Sequence, residues 1–211
     1  MSLNKKDLRD SMRRYLHTVP QETVHAEGLN AAAAAAAQLW WSYYKTVLCF
    51  LSLPHEIDTE PLLNTVLGAG KALFVPRIAD RQLDFRRIDD IRGPWSNGSY
   101  GIREPFASCI RLCPSDFPAL VVMPGLAFDR KGNRLGRGKG YYDTFCAKLE
   151  DLHREYRAVG FCLSTQIVPY IPTEAHDKAV DGVSAGAFGF LPRESLHAPP
   201  ALLAKGQAFC L

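Results

Sequence analysis

A single α/β domain, built as three α/β/α layers around a mostly parallel sheet, is the fold this sequence predicts. Three observations carry that expectation. Short apolar runs recur at Thr46–Leu51, Leu73–Val75, Ala119–Met123 and Ala158–Cys162, and each reads as a buried strand. Helix-forming stretches separate them, opening in the order α-α-β-α-β, which favours right-handed crossovers and parallel pairing. The 211 residues, 47% hydrophobic and 22% charged, suit one globular domain over 1–211, with no repeat or linker to divide it.

The first helix is amphipathic. Leu8, Met12, Tyr15 and Leu16 recur on one face, and Asn4 is placed to cap it with Asp7 three residues on. Lys5, Lys6 and Arg9 occupy its first turns, where the helix dipole prefers carboxylates. They read either as a solvated basic face or as cations awaiting an anion. A second helix is expected from Thr18, with Gln21 as capping-box partner and Pro20 in its first turn, through the alanine tract to about Trp40. The strand Thr46–Leu51 follows, then a helix opened by Thr59-Glu60-Pro61 and closed at Gly68 or Gly70. The next strand, Leu73–Val75, is stopped by Pro76. Leu83–Arg86 alternates like one arm of a hairpin, and Gly93-Pro94, Asn97-Gly98 and Gly101 mark turns. Trp95, Tyr100 and Phe106 among them read as a surface loop or as the wall of a site for a planar ligand. After Ala119–Met123 come a glycine-rich loop, a helix from about Tyr141 to His153, the strand Ala158–Cys162, a polar loop at Ile171–Asp177 and a short strand at Val180–Val183. The tail beyond Phe188 carries no assignment.

The net charge of +3, without a long run of like charge, suits a small or polyacidic anion better than duplex nucleic acid. The basic N-terminal segment lacks the apolar stretch of a signal peptide, and Ala31–Ala37 is too short to cross a bilayer. Six scattered cysteines without a Cys-x-x-Cys pair suit a reducing compartment. A cytoplasmic monomer with a small-molecule substrate, and no membrane or nucleic-acid partner, is expected.

Chemistry concentrates in Pro124–Asp143. Glycines there alternate with Arg130, Lys131, Arg134, Arg137 and Lys139, and two tyrosines and Asp143 follow. Glycine lets backbone approach a ligand, and cations beside bare N–H groups form a nest for phosphate or carboxylate oxygens. A strand before and a helix after supply the setting of a phosphate site. Neither standard fingerprint is met: a Walker A motif would need glycine at Asn133 and Ser or Thr at Gly140, and the dinucleotide pattern meets Tyr141 where its third glycine belongs.

Ligands of open α/β sheets bind beyond the carboxyl ends of the strands, which gathers Glu56 with Asp58, the glycine loop and the Gln166–Asp177 loop into one crevice. Asp143 and Asp177 would there suit Mg²⁺, and with the cations they suggest nucleoside triphosphate chemistry. Plainer roles stand beside these: Asp143 as a favourable helix-start charge, His176 as a solvated histidine, Glu56 as a turn cap, Tyr141 and Tyr142 as core aromatics.

Met123–Asp129 followed by Gly132–Asp143 closely resembles the signature of the 5-formyltetrahydrofolate cyclo-ligase family, also called methenyltetrahydrofolate synthetases. Further similarity lies in Lys5–Arg9, Phe50–Ser52 with Glu56–Thr59, Gly70–Arg77, Tyr100–Pro105, and Ile171–Asp177 with Asp181, covering residues 5–184 and leaving 185–211 unassigned. Tyr100 and Thr144 stand where the family usually has phenylalanine and arginine.

The resemblance implies ATP- and Mg²⁺-dependent closure of 5-formyltetrahydrofolate, polyglutamylated forms included, to 5,10-methenyltetrahydrofolate with release of ADP and phosphate. By position it implies ATP contacts from Lys5, Lys6, Asp7, Leu8, Arg9, Arg134, Leu135, Gly136, Arg137, Gly138, Lys139, Gly140, Tyr141 and Tyr142. Folate contacts would come from Leu51, Glu56, Arg137, Gly138, Lys139, Gly140 and Tyr141, and Mg²⁺ from Asp143 and Asp177. Lys139, Arg134 and Tyr142 are the residues expected to serve catalysis. A regulatory or RNA-associated module without turnover, and an ATP-dependent enzyme acting on another planar acid, are the competing classes. Retention of Glu56, Asp143 and Lys139 bears against the first.

Overall fold

The computed structural model describes residues 4–93, 95–98 and 103–194. Seven strands form one sheet in the order β11-β10-β9-β6-β1-β2-β3. They are β1 (Thr46–Leu48), β2 (Ala72–Ala79), β3 (Gln82–Ile88), β6 (Ala119–Met123), β9 (Tyr156–Cys162), β10 (Gly182–Ala185) and β11 (Gly189–Pro192). The five inner strands run parallel, and β3 and β11 close the edges antiparallel. Two small ribbons lie outside it: β4 (Trp95–Asn97) with β5 (Arg103–Pro105), and β7 (Ala127–Phe128) with β8 (Arg134–Leu135).

The helices are α1 (Lys5–Leu16), α2 (Gln21–Ala36), α3 (Glu60–Gly68) and α4 (Tyr141–Asp151). From β1 the chain steps through α3 to β2; from β6 it steps through α4 to β9, in the opposite direction along the sheet. Right-handed crossovers in opposite directions put α3 and α4 on opposite faces, which yields the three layers. Residues of β1 and β6 are buried on both faces, so apart from Thr46 their runs are apolar rather than alternating.

Several elements depart from expectation. Asn4 does cap α1, its Oδ1 accepting from the Asp7 N–H at 2.9 Å, and Leu8, Met12 and Leu16 are buried while Tyr15 stays exposed. Thr18 caps nothing. Its hydroxyl donates back to the Tyr15 carbonyl at 2.7 Å, and α2 begins at Gln21 after Pro20, whose fixed φ suits a helix entry. That helix ends at Ala36, short of Trp40, which lies in a separate 3-10 turn.

Pro76 does not stop β2. The Ile78 N–H points away from β3 and donates to Glu104 Oε1 at 3.3 Å, and Pro76, two residues earlier, faces the same way. β1 has already ended opposite Phe74, so the missing proline donor leaves no ladder bond unmade. The expected hairpin forms as β2–β3, turning at Asp80–Arg81, both with positive φ. β11, in the unassigned tail, was not anticipated.

Neighbouring strands β1 and β6 continue in opposite directions, so the sheet's switch point lies between them. The chain leaving β1 carries Leu51 and Glu56, and the chain leaving β6 carries the glycine loop. Both emerge at the carboxyl ends there, where an open α/β sheet forms its crevice.

Candidate active site

The glycine loop is held from beneath by Asp129, which is 2% exposed. Its Oδ1 accepts from the N–H groups of Lys131 (2.9 Å) and Asn133 (3.0 Å); its Oδ2 accepts from Asn133 Nδ2 (2.9 Å) and the Ile171 N–H (3.1 Å). One carboxylate thus closes the β7–β8 turn and ties it to the loop that carries Asp177. Gln166 anchors the other side, donating to the Gly125 carbonyl at 2.7 Å and accepting from the Leu163 N–H at 2.8 Å.

Beyond β8 the chain runs 136–140 with Gly138 at φ 97° and Gly140 at φ 67°, conformations that favour glycine. Gly140 is the N-cap of α4 and provides no side-chain cap. Among the described residues, none of the backbone N–H groups of 136–143 donates to a protein acceptor. This row of unengaged donors at a helix N-terminus is suited to phosphate oxygens.

The loop walls a cleft of ≈ 470 Å³, which is also lined by Lys5, Arg9, Glu56, Glu174, His176 and Asp177. Its charges are largely paired. Lys5 Nζ lies 2.6 Å from Asp177 Oδ2 and 3.2 Å from Glu174 Oε1. Buried Arg134 reaches Asp143 Oδ1 through Nη2 at 2.7 Å. Arg137 grips Glu56 Oε1 through Nε (2.8 Å) and Nη2 (2.7 Å). Arg9 donates to the Gly136 carbonyl at 3.0 Å, bracing the loop. Exposed Lys139 has no acceptor among the described residues.

Asp143 Oδ2 and Asp177 Oδ1 accept no hydrogen bond among the described residues, so each carboxylate keeps one oxygen for a ligand. No cluster of three or more His, Cys, Asp or Glu residues able to hold a metal occurs among them. Two separate carboxylate oxygens fit Mg²⁺, which keeps waters and substrate phosphates as its other ligands. Burial alone would raise the Asp177 carboxyl, but the Lys5 ammonium and the Glu174 N–H together hold it below the usual range.

A second cleft of ≈ 290 Å³, lined by Leu51, Ile91, Trp95 and Arg103, meets the first at Glu56, which borders both. Glu56 Oε2 accepts from the Leu53 N–H at 3.0 Å, fixing the carboxylate between the two. Tyr142 is buried and its hydroxyl has no partner among the described residues; burial pushes its pKa well up. Its ring lies 5.9 Å from the Arg134 guanidinium carbon.

Most residues singled out in the sequence therefore converge. Lys5, Arg9, Glu56, Arg134–Asp143 and Asp177 line one cleft, and Leu51 lines its neighbour. Lys6 and Asp7 are exposed outside that cleft, and Leu8 is buried in the core. His176 borders the cleft with a largely exposed ring. Trp95 borders the second cleft and Phe106 is exposed, while Tyr100 lies outside the described residues. Asp129 and Gln166 were missed as organisers, because their partners sit up to 42 residues away and no local spacing marks them.

Fold and cleft define an α/β protein with a glycine-rich loop of unengaged N–H groups at the switch point of a mostly parallel sheet. A profile of the 5-formyltetrahydrofolate cyclo-ligase family matches residues 1–186, and the chain belongs to that family. It is similar to the 5-formyltetrahydrofolate cyclo-ligase of Mus musculus, 31% identical over 190 residues that make up 85% of this chain and 92% of that one. A probable cyclo-ligase of Schizosaccharomyces pombe is 28% identical, with 87% and 95% covered. The solved 5,10-methenyltetrahydrofolate synthetase of Aquifex aeolicus superposes with a TM-score of 0.75 at 26% identity, covering 95% of this chain and 96% of that one. The Mycoplasma pneumoniae synthetase, at 16% identity and TM-score 0.64 over 91% and 100% of the two chains, shares the fold. No helix among the described residues is long and apolar enough to cross a membrane.

Proposed function

We propose that this chain closes 5-formyltetrahydrofolate to 5,10-methenyltetrahydrofolate at the expense of ATP, with ADP and phosphate as co-products. The observation that carries the reading is the run of unengaged N–H groups over 136–143, with Lys139 beside it, meeting a second cleft at Glu56. One segment then serves both phosphoryl donor and folate acceptor.

A formamide carbonyl is a poor electrophile, and its oxygen a poor leaving group. Moving the γ-phosphoryl onto the formyl oxygen answers both: the O–P bond to ADP breaks, the new O–P bond forms, and N10 attacks the activated carbon. Phosphate then leaves with the former formyl oxygen and, in net balance, with the proton that N10 gives up. Phosphoryl transfer asks little covalent chemistry of a protein, so positioning and charge neutralisation carry the rate. The donors of 136–143 cradle the phosphates, and Lys139, with its side chain free to swing inward, neutralises charge on the transferring group. Arg134, locked between Asp143 and the Pro124 carbonyl, keeps the helix start in place. Asp143 and Asp177 would hold Mg²⁺, which when bound supplies positive charge at the phosphate oxygens. Glu56 accepts from the amide-like edge of the pterin, and Leu51 and Trp95 supply its apolar walls.

Incubation of the purified chain with 5-formyltetrahydrofolate and Mg-ATP tests the reading through the near-UV absorbance of the methenyl product. An ATP-dependent rise is expected; a folded protein that produces none refutes it.

A further inference from the structure

Arg137 and Glu56 meet where the two clefts join, and the geometry of their contact is asymmetric. The Glu56 side chain is 9% exposed and the Arg137 side chain 42%. Both guanidinium donors, Nε and Nη2, converge on the same oxygen, Oε1, while Oε2 is already held by the Leu53 N–H. Three of the carboxylate's roughly four acceptor positions are therefore taken in the empty protein, and two of those three would be freed for a ligand if Arg137 left. Arg137 stands between two glycines, Gly136 and Gly138, the second at positive φ, on a segment whose N–H groups are unengaged. Arg9 and Arg13 hold the Gly136 and Arg137 carbonyls at 3.0 and 3.3 Å, so the backbone is braced and the half-exposed Arg137 side chain is the part able to turn, while the buried carboxylate is fixed.

Resting on the function proposed above, we infer that Arg137 is a positioning residue that exchanges partners: it occupies Glu56 in the empty enzyme and turns to the triphosphate when nucleotide enters. Planar guanidinium prefers a bidentate grip on phosphate, and two donors on one carboxylate oxygen is a poorer arrangement. The exchange leaves Glu56 buried and without its cation, which is costly unless a new donor arrives. A pterin N–H in the second cleft is that donor. Nucleotide thus prepares the folate site, and by linkage folate tightens nucleotide by the same factor. The arrangement also disfavours phosphoryl transfer to water, since the folate site and the phosphate site become complete together.

The experiment is a calorimetric titration of 5-formyltetrahydrofolate into the protein, with and without Mg²⁺ and the β,γ-imido analogue of ATP. The wild type should bind folate about 10-fold more tightly with the analogue present, within the usual range of coupling between sites. Equal affinities overturn the inference. In Arg137→Ala, melting first establishing that the variant is folded, folate without nucleotide should bind at least as tightly as in the wild type, and the analogue should no longer shift it. A variant that binds folate more weakly yet keeps the shift overturns it instead, because Arg137 would then merely contact folate. The wild-type comparison stands even if the variant does not fold. ATP-dependent turnover without coupling removes only this inference; absence of turnover removes the function beneath it.

Discussion

Replacing Asp129 with alanine should cost about 4 kcal/mol of stability, although this residue touches no ligand in the proposed scheme. Its carboxylate accepts four hydrogen bonds, one of them from the buried Ile171 N–H and two from the partly buried N–H groups of Lys131 and Asn133. Truncation strands those donors. A buried orphan costs roughly 1–3 kcal/mol, and partly buried donors recover some of that from water. At about 2–4 °C per kcal/mol for a chain of this size, melting should fall by roughly 8–16 °C. Urea unfolding followed by circular dichroism measures the loss, and hydrogen exchange at the Ile171 amide localises it. Asp129→Asn keeps one acceptor and should lose about half as much. An alanine variant within roughly 0.5 kcal/mol of the wild type, the range of ordinary surface changes, would refute the idea that this carboxylate ties the glycine loop to the Asp177 loop.

Lys139→Ala should lower kcat about 10²–10³-fold with melting unchanged, since the side chain is exposed and has no partner among the described residues; steady-state kinetics beside a melting curve check both. Tyr142→Phe removes a buried hydroxyl without a partner among the described residues, so the unliganded protein should be as stable or up to roughly 1 kcal/mol more stable in urea. The folded-state pKa of Asp177 lies below its unfolded value, so its pairing with Lys5 contributes fully above the ordinary carboxylate pKa of about 3.9 and is lost as pH falls through the folded value. Lys5→Met should therefore destabilise the protein at neutral pH and converge with the wild type at strongly acid pH, as read by unfolding curves at several pH values.

How much was legible in the sequence depended on whether the cause was local. Ala119–Met123 could be read because a central parallel strand is buried on both faces and stays apolar throughout. The strand–glycine–helix order around 136–143 could be read because positive φ at Gly138 and Gly140 demands glycine. Pro76 misled, since proline stops a strand only where a neighbour needs its donor, and β1 had already ended. Thr18 looked like a cap, but whether its hydroxyl turns forward or back is set by the turn at Tyr15, not by residue type. The Arg137–Glu56 contact spans 81 residues, and Asp129–Ile171 spans 42; neither leaves a mark in local spacing. Resemblance to a family placed Glu56 and Arg137 near one ligand. That they hold each other in the empty protein became visible only in three dimensions.

The most direct test of the account follows one oxygen atom. With 5-formyltetrahydrofolate labelled with ¹⁸O in the formyl group, mass spectrometry of the released phosphate reports which atom received the γ-phosphoryl. One ¹⁸O per phosphate is expected if the glycine loop joins ATP to the formyl oxygen. Unlabelled phosphate, formed alongside methenyl product, would contradict the account.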